Sequence, residues 1–461
     1  MFQSVELPVW ALVLVVGFAA VTFASHFLFP SVRWFFRKRA ERAVARLNQR
    51  LKRPIEPFKL MRRQDQVIRL VYDPQVMEAV RSYAAEEGIP PNVAFEKARS
   101  YAREIVPGFS ATTYFGFAIR LARRLGEGLY DVVVQAEDQG LLDRLHPDDA
   151  IVFVMNHRSN MDYVLVTWLA AQHSALSYAV GEWARVWPLK GMIRAMGAYF
   201  IRRRYSNVLY RAVLARYVQM SVQQGSTQAI FPEGRLSLTG AVDTGKIGLL
   251  SYILRGWDRQ GPRDVVFVPV ALNYDRVLED RLLIAAHANG KRSFRGRTGT
   301  ALAFAGRVLW QKLTGRFQGF GQAAVSYGAP ISLRAISQGT DPQAEDLVAM
   351  LMDRIKAVMP VLSVPLAAAA LQHLGGRGTR SQLVDAAQSV LAPDAATRLD
   401  PATLTKMLDS GLAHLVLRGM IVAQDAEFVV VPGQGPAIAF YAASIVQAKA
   451  TASLEPDTHA T

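Results

Sequence analysis

The stretch Ile151–Asp162, IVFVMNHRSNMD, constrains this chain more than any other. An apolar run, Ile151–Met155, reads as a buried strand and stops at a polar turn, Asn156 to Asn160, after which Met161–Ala171 has helical character. Two residues five apart on one continuous helix differ by about 140° around its axis and could not share a face. A turn removes that objection, so the Asp162 carboxylate is free to fold back onto one imidazole nitrogen of His157 and leave the other for chemistry. An acid so placed fixes the tautomer and raises the basicity of a ring that titrates near neutrality, which is how a general base is built. The same letters admit a second reading. Ser159 to Asp162 fits a capping box, S-x-x-[DE], in which the acid only holds the start of a helix.

A short apolar element and a second strand also end in ionisable residues. Gly197-Ala198-Tyr199-Phe200-Ile201 runs into Arg202-Arg203-Arg204, and guanidinium groups donate paired hydrogen bonds to phosphate without losing their charge. A solvated arginine cluster is the plain alternative. Gln228 to Phe231 runs into Pro232-Glu233-Gly234-Arg235, a polar turn whose backbone N–H groups are candidate donors to an oxyanion. A glutamate satisfied by its own turn is the alternative there. Ionisable groups at successive strand ends point to an α/β domain with its site at the strands' C-terminal edge.

Cysteine is absent, which excludes disulfides, thiolate metal sites and a cysteine nucleophile, and no metal-ligand cluster is visible in the pattern. The net charge of +15 points to anionic partners, which nucleic acid, an anionic membrane and phosphorylated substrates all satisfy. Leu7–Phe29 is a 23-residue run without Asp, Glu, Lys or Arg, long enough for a helix to cross the hydrocarbon layer. Nine Lys/Arg follow between Arg33 and Arg53. Positive charge on that flank alone predicts a single span with its N-terminus outside, and a basic segment lying on the inner face of the membrane. No G-x-S-x-G elbow is present, so a serine hydrolase is excluded. Gly240–Ile247 imitates a phosphate-binding loop but puts Ile247 where the metal-binding hydroxyl belongs.

In chain order, the segment from Glu56 to Ile105 reads as helices broken at Asp73-Pro74 and at Gly88-Ile89-Pro90-Pro91. Phe115–Gly128 reads as an amphipathic helix, Asp131–Ala136 and Asp264–Leu272 as strands, Asn289–Arg297 as a basic loop, and Val325–Ile331 as the close of the domain. Beyond about Ser337 the tail turns to Ala/Leu-rich helices and a hairpin around Asp425. That order is the order of a winged helix, but no basic recognition surface stands out, so the tail reads as structural.

Four of these stretches together resemble the glycerolipid acyltransferase superfamily, and specifically the bacterial membrane-bound glycerol-3-phosphate acyltransferases. The turn from Asn156 to Tyr163 is similar to the H-x4-D block. Gly197 to Arg203, Phe231-Pro232-Glu233-Gly234, and Val268-Pro269-Val270 with Tyr274 are similar to the other three, over roughly residues 105–445. One position departs: Leu236 stands where an arginine is usual, with Arg235 one place earlier, which leaves open the side chain that holds the acceptor phosphate. The resemblance implies an acyltransferase-like α/β domain at residues 106–335. Ahead of it come an anchor at 1–30 and a basic helical region at 31–105, and a mainly helical domain follows at 336–461.

The activity implied is transfer of a fatty acyl group from acyl-CoA or acyl-carrier protein to glycerol 3-phosphate in phospholipid biosynthesis, at the inner membrane, with no cofactor and no nucleic acid. His157 would be the base and Asp162 its orienting acid. Arg202, Arg203, Glu233, Gly234 and Arg235 would bind substrate. The rival acceptor is 1-acylglycerol 3-phosphate, and the rival class is a basic membrane-anchored adaptor without catalysis.

Overall fold

The structure is a computed structural model. It describes residues 8–10, 13–17, 38–39, 42, 44–49, 51, 53–136, 145–170, 175–181, 189–202, 207–290, 306–308, 310–317, 319–337 and 342–452. The chain divides into two compact units, Met1–Pro54 and Ile55–Thr461. In the first, residues 13–17 and 44–48 are helical. Among the described residues no helix is long and apolar enough to cross a membrane, and most of the expected span Leu7–Phe29 lies outside them.

The second unit is built on a mixed sheet. Its strands, in chain order, are β1 (Asp131–Ala136), β2 (Ala150–Met155), β3 (Ser177–Val180), β4 (Tyr199–Phe200), β5 (Gln228–Ile230), β6 (Val265–Tyr274), β7 (Gln322–Tyr327) and β8 (Ile331–Ser332). Spatially they run β1-β7-β6-β2-β5-β3-β4, with β8 on β6. β6, β2, β5, β3 and β4 are parallel to their neighbours in that row. β7 and β8 run antiparallel to β6, and β1 is parallel to β7. A β6–β7 turnaround of this kind leaves no periodic trace; the sequence predicts the strand at Asp264–Leu272 but not the antiparallel return.

Every residue of β2 and β6 is buried, because helices cover both faces of the sheet. Along β2 the pleat sends Ala150, Val152 and Val154 into one apolar layer, with Val76, Val80, Ala98 and Val213 of the helices Pro74–Glu87, Pro91–Ile105 and Val208–Gln223. Ile151, Phe153 and Met155 enter the other, with Leu165 of the helix Met161–Ala170 and with the C-terminal helices. The expected amphipathic helix near Phe115 is a π-helical turn, Thr112–Ala118, that continues as the α-helix Ile119–Leu129.

The tail is part of this same compact unit. The helix Ser363–His373, strand β9 (Arg377–Thr379), the helices Arg380–Val390 and Pro401–Leu417, and the hairpin β10 (Ile421–Gln424) and β11 (Glu427–Val430) follow in the winged-helix order, with sheet order β10-β11-β9. Asp425 and Ala426 take left-handed conformations at the hairpin tip. Gly411 is required in the helix Pro401–Leu417, since a Cβ there would lie 2.0 Å from the Ser363 carbonyl oxygen. The last helix, Gly435–Ala452, packs against both the tail helices and the sheet domain.

Candidate active site

β2 ends in a way that throws the next residues out of the sheet. The Asn156 side chain takes the place of a peptide unit: its Nδ2 donates to the Leu272 carbonyl at 3.0 Å and its Oδ1 accepts from the Leu272 N–H at 2.8 Å. The ladder to β6 is thereby completed by a side chain, and the main chain is released into a turn at His157.

That turn is fastened one amide at a time. The N–H of His157 donates to Glu233 Oε1 at 2.9 Å, those of Arg158 and Ser159 donate to Asp162 Oδ2 at 2.8 and 3.0 Å, and that of Asn160 donates to Glu279 Oε1 at 3.3 Å. Asp162 Oδ2 also meets His157 Nδ1 at 2.8 Å, and Tyr274 donates its hydroxyl to Asp162 Oδ1 at 2.5 Å. One carboxylate oxygen thus meets both the amides ahead of the helix and the imidazole. His157 Nε2 has no hydrogen-bond partner among the described residues. The ring is gripped by Phe231, 4.4 Å between centroids and 31° between planes, and by the edge of Tyr163 at 5.3 Å.

The electrostatics follow from burial. Glu233 is 2% exposed, and desolvation pushes its carboxyl up to about 8, opposed by the backbone amides of His157 and then Asp243. At neutral pH it is largely a neutral acid. Glu279 is likewise raised by burial, against hydrogen bonds from Ser159 and Asn160, and burial holds the Tyr274 phenol well above its usual range. Arg158 is the buried cation amid these acids. Its Nη1 donates to the Gly240 carbonyl and its guanidinium lies over the Phe440 ring at 5.5 Å, with Tyr441, Asp162 and Glu233 opposing the burial that lowers it. Gly240 is pressed onto the last helix, where a Cβ would stand 1.8 Å from the Phe440 carbonyl oxygen.

The expected site residues separate into groups. His157, Asp162 and Glu233 come together, because β2 and β5 are parallel neighbours and both their C-terminal ends open on one edge. Gly234 donates its amide to Phe231 at 2.9 Å, which spends it on the turn, whereas the amides of Arg235 and Leu236 make no hydrogen bond among the described residues. Arg235 is exposed, and no ion pair holds it among the described residues. Leu236 packs into the core. Arg202 is away from this group, beyond the sheet edge at β4, where its Nε and Nη2 make a paired bond to Glu104 at 2.9 and 2.6 Å and its guanidinium lies over the rings of Tyr101 and Tyr210. Arg203 lies outside the described residues.

Several contributors had no assigned role in the sequence reading. Asn156 and Tyr274 sit inside recognisable blocks; an Asn at the foot of a strand and a Tyr at the end of a buried one were the available signals. Glu279, 120 and 119 residues away from Ser159 and Asn160, offered none. Lys246 is exposed, and its Nζ stands 3.8 Å from the point a Cβ would occupy on Gly234, which puts a cation beside the Glu233 turn. An apolar cavity of about 150 Å³ is lined by Tyr163, whose ring meets His157, and by Tyr178, Val180, Leu121, Leu125 and Met196.

Residues 139–273, which contain His157, Asp162 and Glu233, match the family described as Acyltransferase. The chain is similar to the glycerol-3-phosphate acyltransferases of Pseudomonas syringae pv. syringae, 29% identical over 59% of this chain and 32% of the relative, and of Xanthomonas campestris pv. campestris, 30% identical over 57% and 29%. A third, from Shewanella frigidimarina, is 28% identical over 73% of this chain and 41% of its own length. The chain thus spans about a third of the length of these two relatives. Among solved structures, the 1-acyl-sn-glycerophosphate acyltransferase of Thermotoga maritima overlaps 53% of this chain and 80% of its own at 19% identity, with a TM-score of 0.33, too low to speak for the fold. The matches bear out the resemblance read in the four blocks, with the Acyltransferase match falling on residues 139–273.

Proposed function

We propose that this chain transfers an acyl group from a thioester, acyl-CoA or acyl-carrier protein, to a hydroxyl of glycerol 3-phosphate. The observation that carries the reading is the imidazole of His157, fixed through Nδ1 by Asp162 at 2.8 Å with no hydrogen bond on Nε2 among the described residues. In this mechanism Nε2 takes the proton of the acceptor hydroxyl as that oxygen attacks the thioester carbonyl. The carbonyl oxygen gains the negative charge, and the unspent amides of Arg235 and Leu236 are the donors offered to it. When the tetrahedral intermediate collapses, the carbon–sulfur bond breaks and the imidazolium returns its proton to the departing thiolate. No covalent acyl-enzyme is needed.

The acceptor's phosphate is held by Arg235 together with Lys246, the exposed cations flanking the Glu233 turn. Lys246 takes the share that the resemblance gave to Arg202, whose fork Glu104 occupies. The apolar cavity receives the acyl chain next to the thioester. The seat of the reaction is the cytoplasmic face of the inner membrane, a placement supported by the net charge of +15 and by the basic segment behind the uncharged run.

The test is to incubate membranes containing the protein with labelled acyl-CoA and either glycerol 3-phosphate or 1-acylglycerol 3-phosphate, comparing wild type with His157→Ala. Labelled monoacyl product from glycerol 3-phosphate, lost in the variant, is expected. Acylation of the monoacyl acceptor alone overturns the choice of acceptor, and product formation that His157→Ala leaves intact overturns the mechanism.

A further inference from the structure

The C-terminal helix Gly435–Ala452 reaches the catalytic turn through a continuous set of polar contacts. The Tyr441 hydroxyl is fully buried; it accepts from the Val277 N–H at 3.1 Å and donates to Asp280 Oδ2 at 2.7 Å, and Arg418 of the helix Pro401–Leu417 pairs with the same oxygen while its guanidinium covers the Tyr441 ring at 4.9 Å. Both ends of the short turn Val277–Asp280 are thus tied to the tail. Between them sits Glu279, and its carboxylate spans the next gap: Oε2 accepts from Ser159 Oγ at 2.8 Å, and Oε1 accepts from Asn160 Nδ2 at 2.9 Å and from the Asn160 N–H. Ser159 and Asn160 are the residues between His157 and Asp162.

Glu233 and Asp162 fasten the near side of the turn from within the acyltransferase segment, and Glu279 fastens the far side from beyond it. Two independent directions of attachment are what a turn needs if its imidazole is to keep one orientation. We propose that Glu279 is a positioning residue for the His157–Asp162 pair, and that Tyr441 is the residue of the C-terminal helix that sets Glu279. This rests on the proposed acyl transfer for its kinetic consequence. It assigns the tail helices a part in the reaction without any contact with substrate.

The full-length protein in detergent is measured in two ways. One is steady-state acylation of glycerol 3-phosphate. The other is the low-field proton resonance of the His157 Nδ1–H shared with Asp162, identified by its disappearance in His157→Gln. Glu279→Ala should lower kcat about 10–100-fold, the size of effect that follows when a reacting group is misplaced by an ångström or less. Acceptor KM should stay within about twofold, because nothing that binds it is removed. The resonance should move or broaden. Glu279→Gln keeps an oxygen that accepts from Asn160 and should recover most of the rate. Tyr441→Phe, which keeps the ring and deletes the hydroxyl, should lie between.

An unchanged kcat in Glu279→Ala, a loss confined to KM, or a Gln variant as poor as Ala overturns the proposal. Should Glu279→Ala fail to fold, Tyr441→Phe decides: an unmoved resonance with wild-type kcat overturns the link to the tail. A wild type without any acyl transfer defeats the proposed function alone, since the resonance in the variants still judges the clamp.

Discussion

The turn after β2 and the turn after β4 present the same signal in the chain, an apolar strand that stops at ionisable residues, and they come to opposite ends. β2 lies between β6 and β5, so the groups leaving its C-terminal end meet the groups leaving two parallel neighbours, and His157 finds Glu233, Tyr274 and its own Asp162 there. β4 is the last strand of the row, with β3 as its one partner in it. Arg202 there meets the helix layer instead, and Glu104 at the end of the helix Pro91–Ile105 takes both prongs of its guanidinium. A charged residue at a strand end joins a polar cluster where adjacent strand ends supply its complements. At the margin it becomes a strut.

That contrast is open to direct attack. The largest effect belongs to the central turn: His157→Ala should cut acyl transfer about 10²–10⁴-fold, the usual cost of losing a general base, with acceptor binding preserved; turnover near wild type would remove the distinction altogether. Next come the two cations. Lys246→Ala should raise acceptor KM about tenfold or more, the worth of a charge-assisted hydrogen bond to phosphate. Arg202→Ala should leave KM within about twofold and instead lower stability by about 1–2 kcal/mol, since Glu104 loses its partner in a partly shielded place. If Arg202→Ala raises KM more than Lys246→Ala, the margin is a ligand site after all.

The last test is the pH dependence of stability. Glu233 has a folded value of about 8, raised by burial from 4.5, so the stability it contributes is fully present below about 4.5 and is lost as pH rises through about 8. Glu233→Gln does not titrate. The melting temperature of wild type relative to this variant should therefore fall between pH 5 and pH 8.5, and a constant difference would mean that the carboxyl is charged throughout.

Much of this was readable in the letters, and what was not has identifiable causes. Strand β2, the helix after it, the strands near Gln228 and Asp264, and the hairpin at Asp425 follow from short-range pattern, because their apolar periods and turn residues lie within a few positions of one another. His157 and Asp162 were legible for the same reason. The fate of Arg202 was not: whether an arginine serves a ligand or a glutamate depends on a residue 98 positions away. Glu279 and Tyr441 were hidden likewise, since a contact over 120 or 161 positions is written in the topology and not in any local spacing. Lys246 was in view only within the phosphate-loop imitation that the sequence reading set aside. The antiparallel return of β7 onto β6, which brings Tyr274 level with Ala323, has no local signature either.

Asp162 answers to two masters. One oxygen seals the first turn of a helix through the amides of Arg158 and Ser159 and aims the imidazole as well, and the other is occupied by the phenol of Tyr274. A descendant of this chain that abandoned the proposed reaction would still need that carboxylate to begin its helix, and one that redesigned the helix would lose the hold on the imidazole in the same step. Drift at this position is blocked from both sides, so the aspartate should outlast the activity in any lineage that keeps the fold.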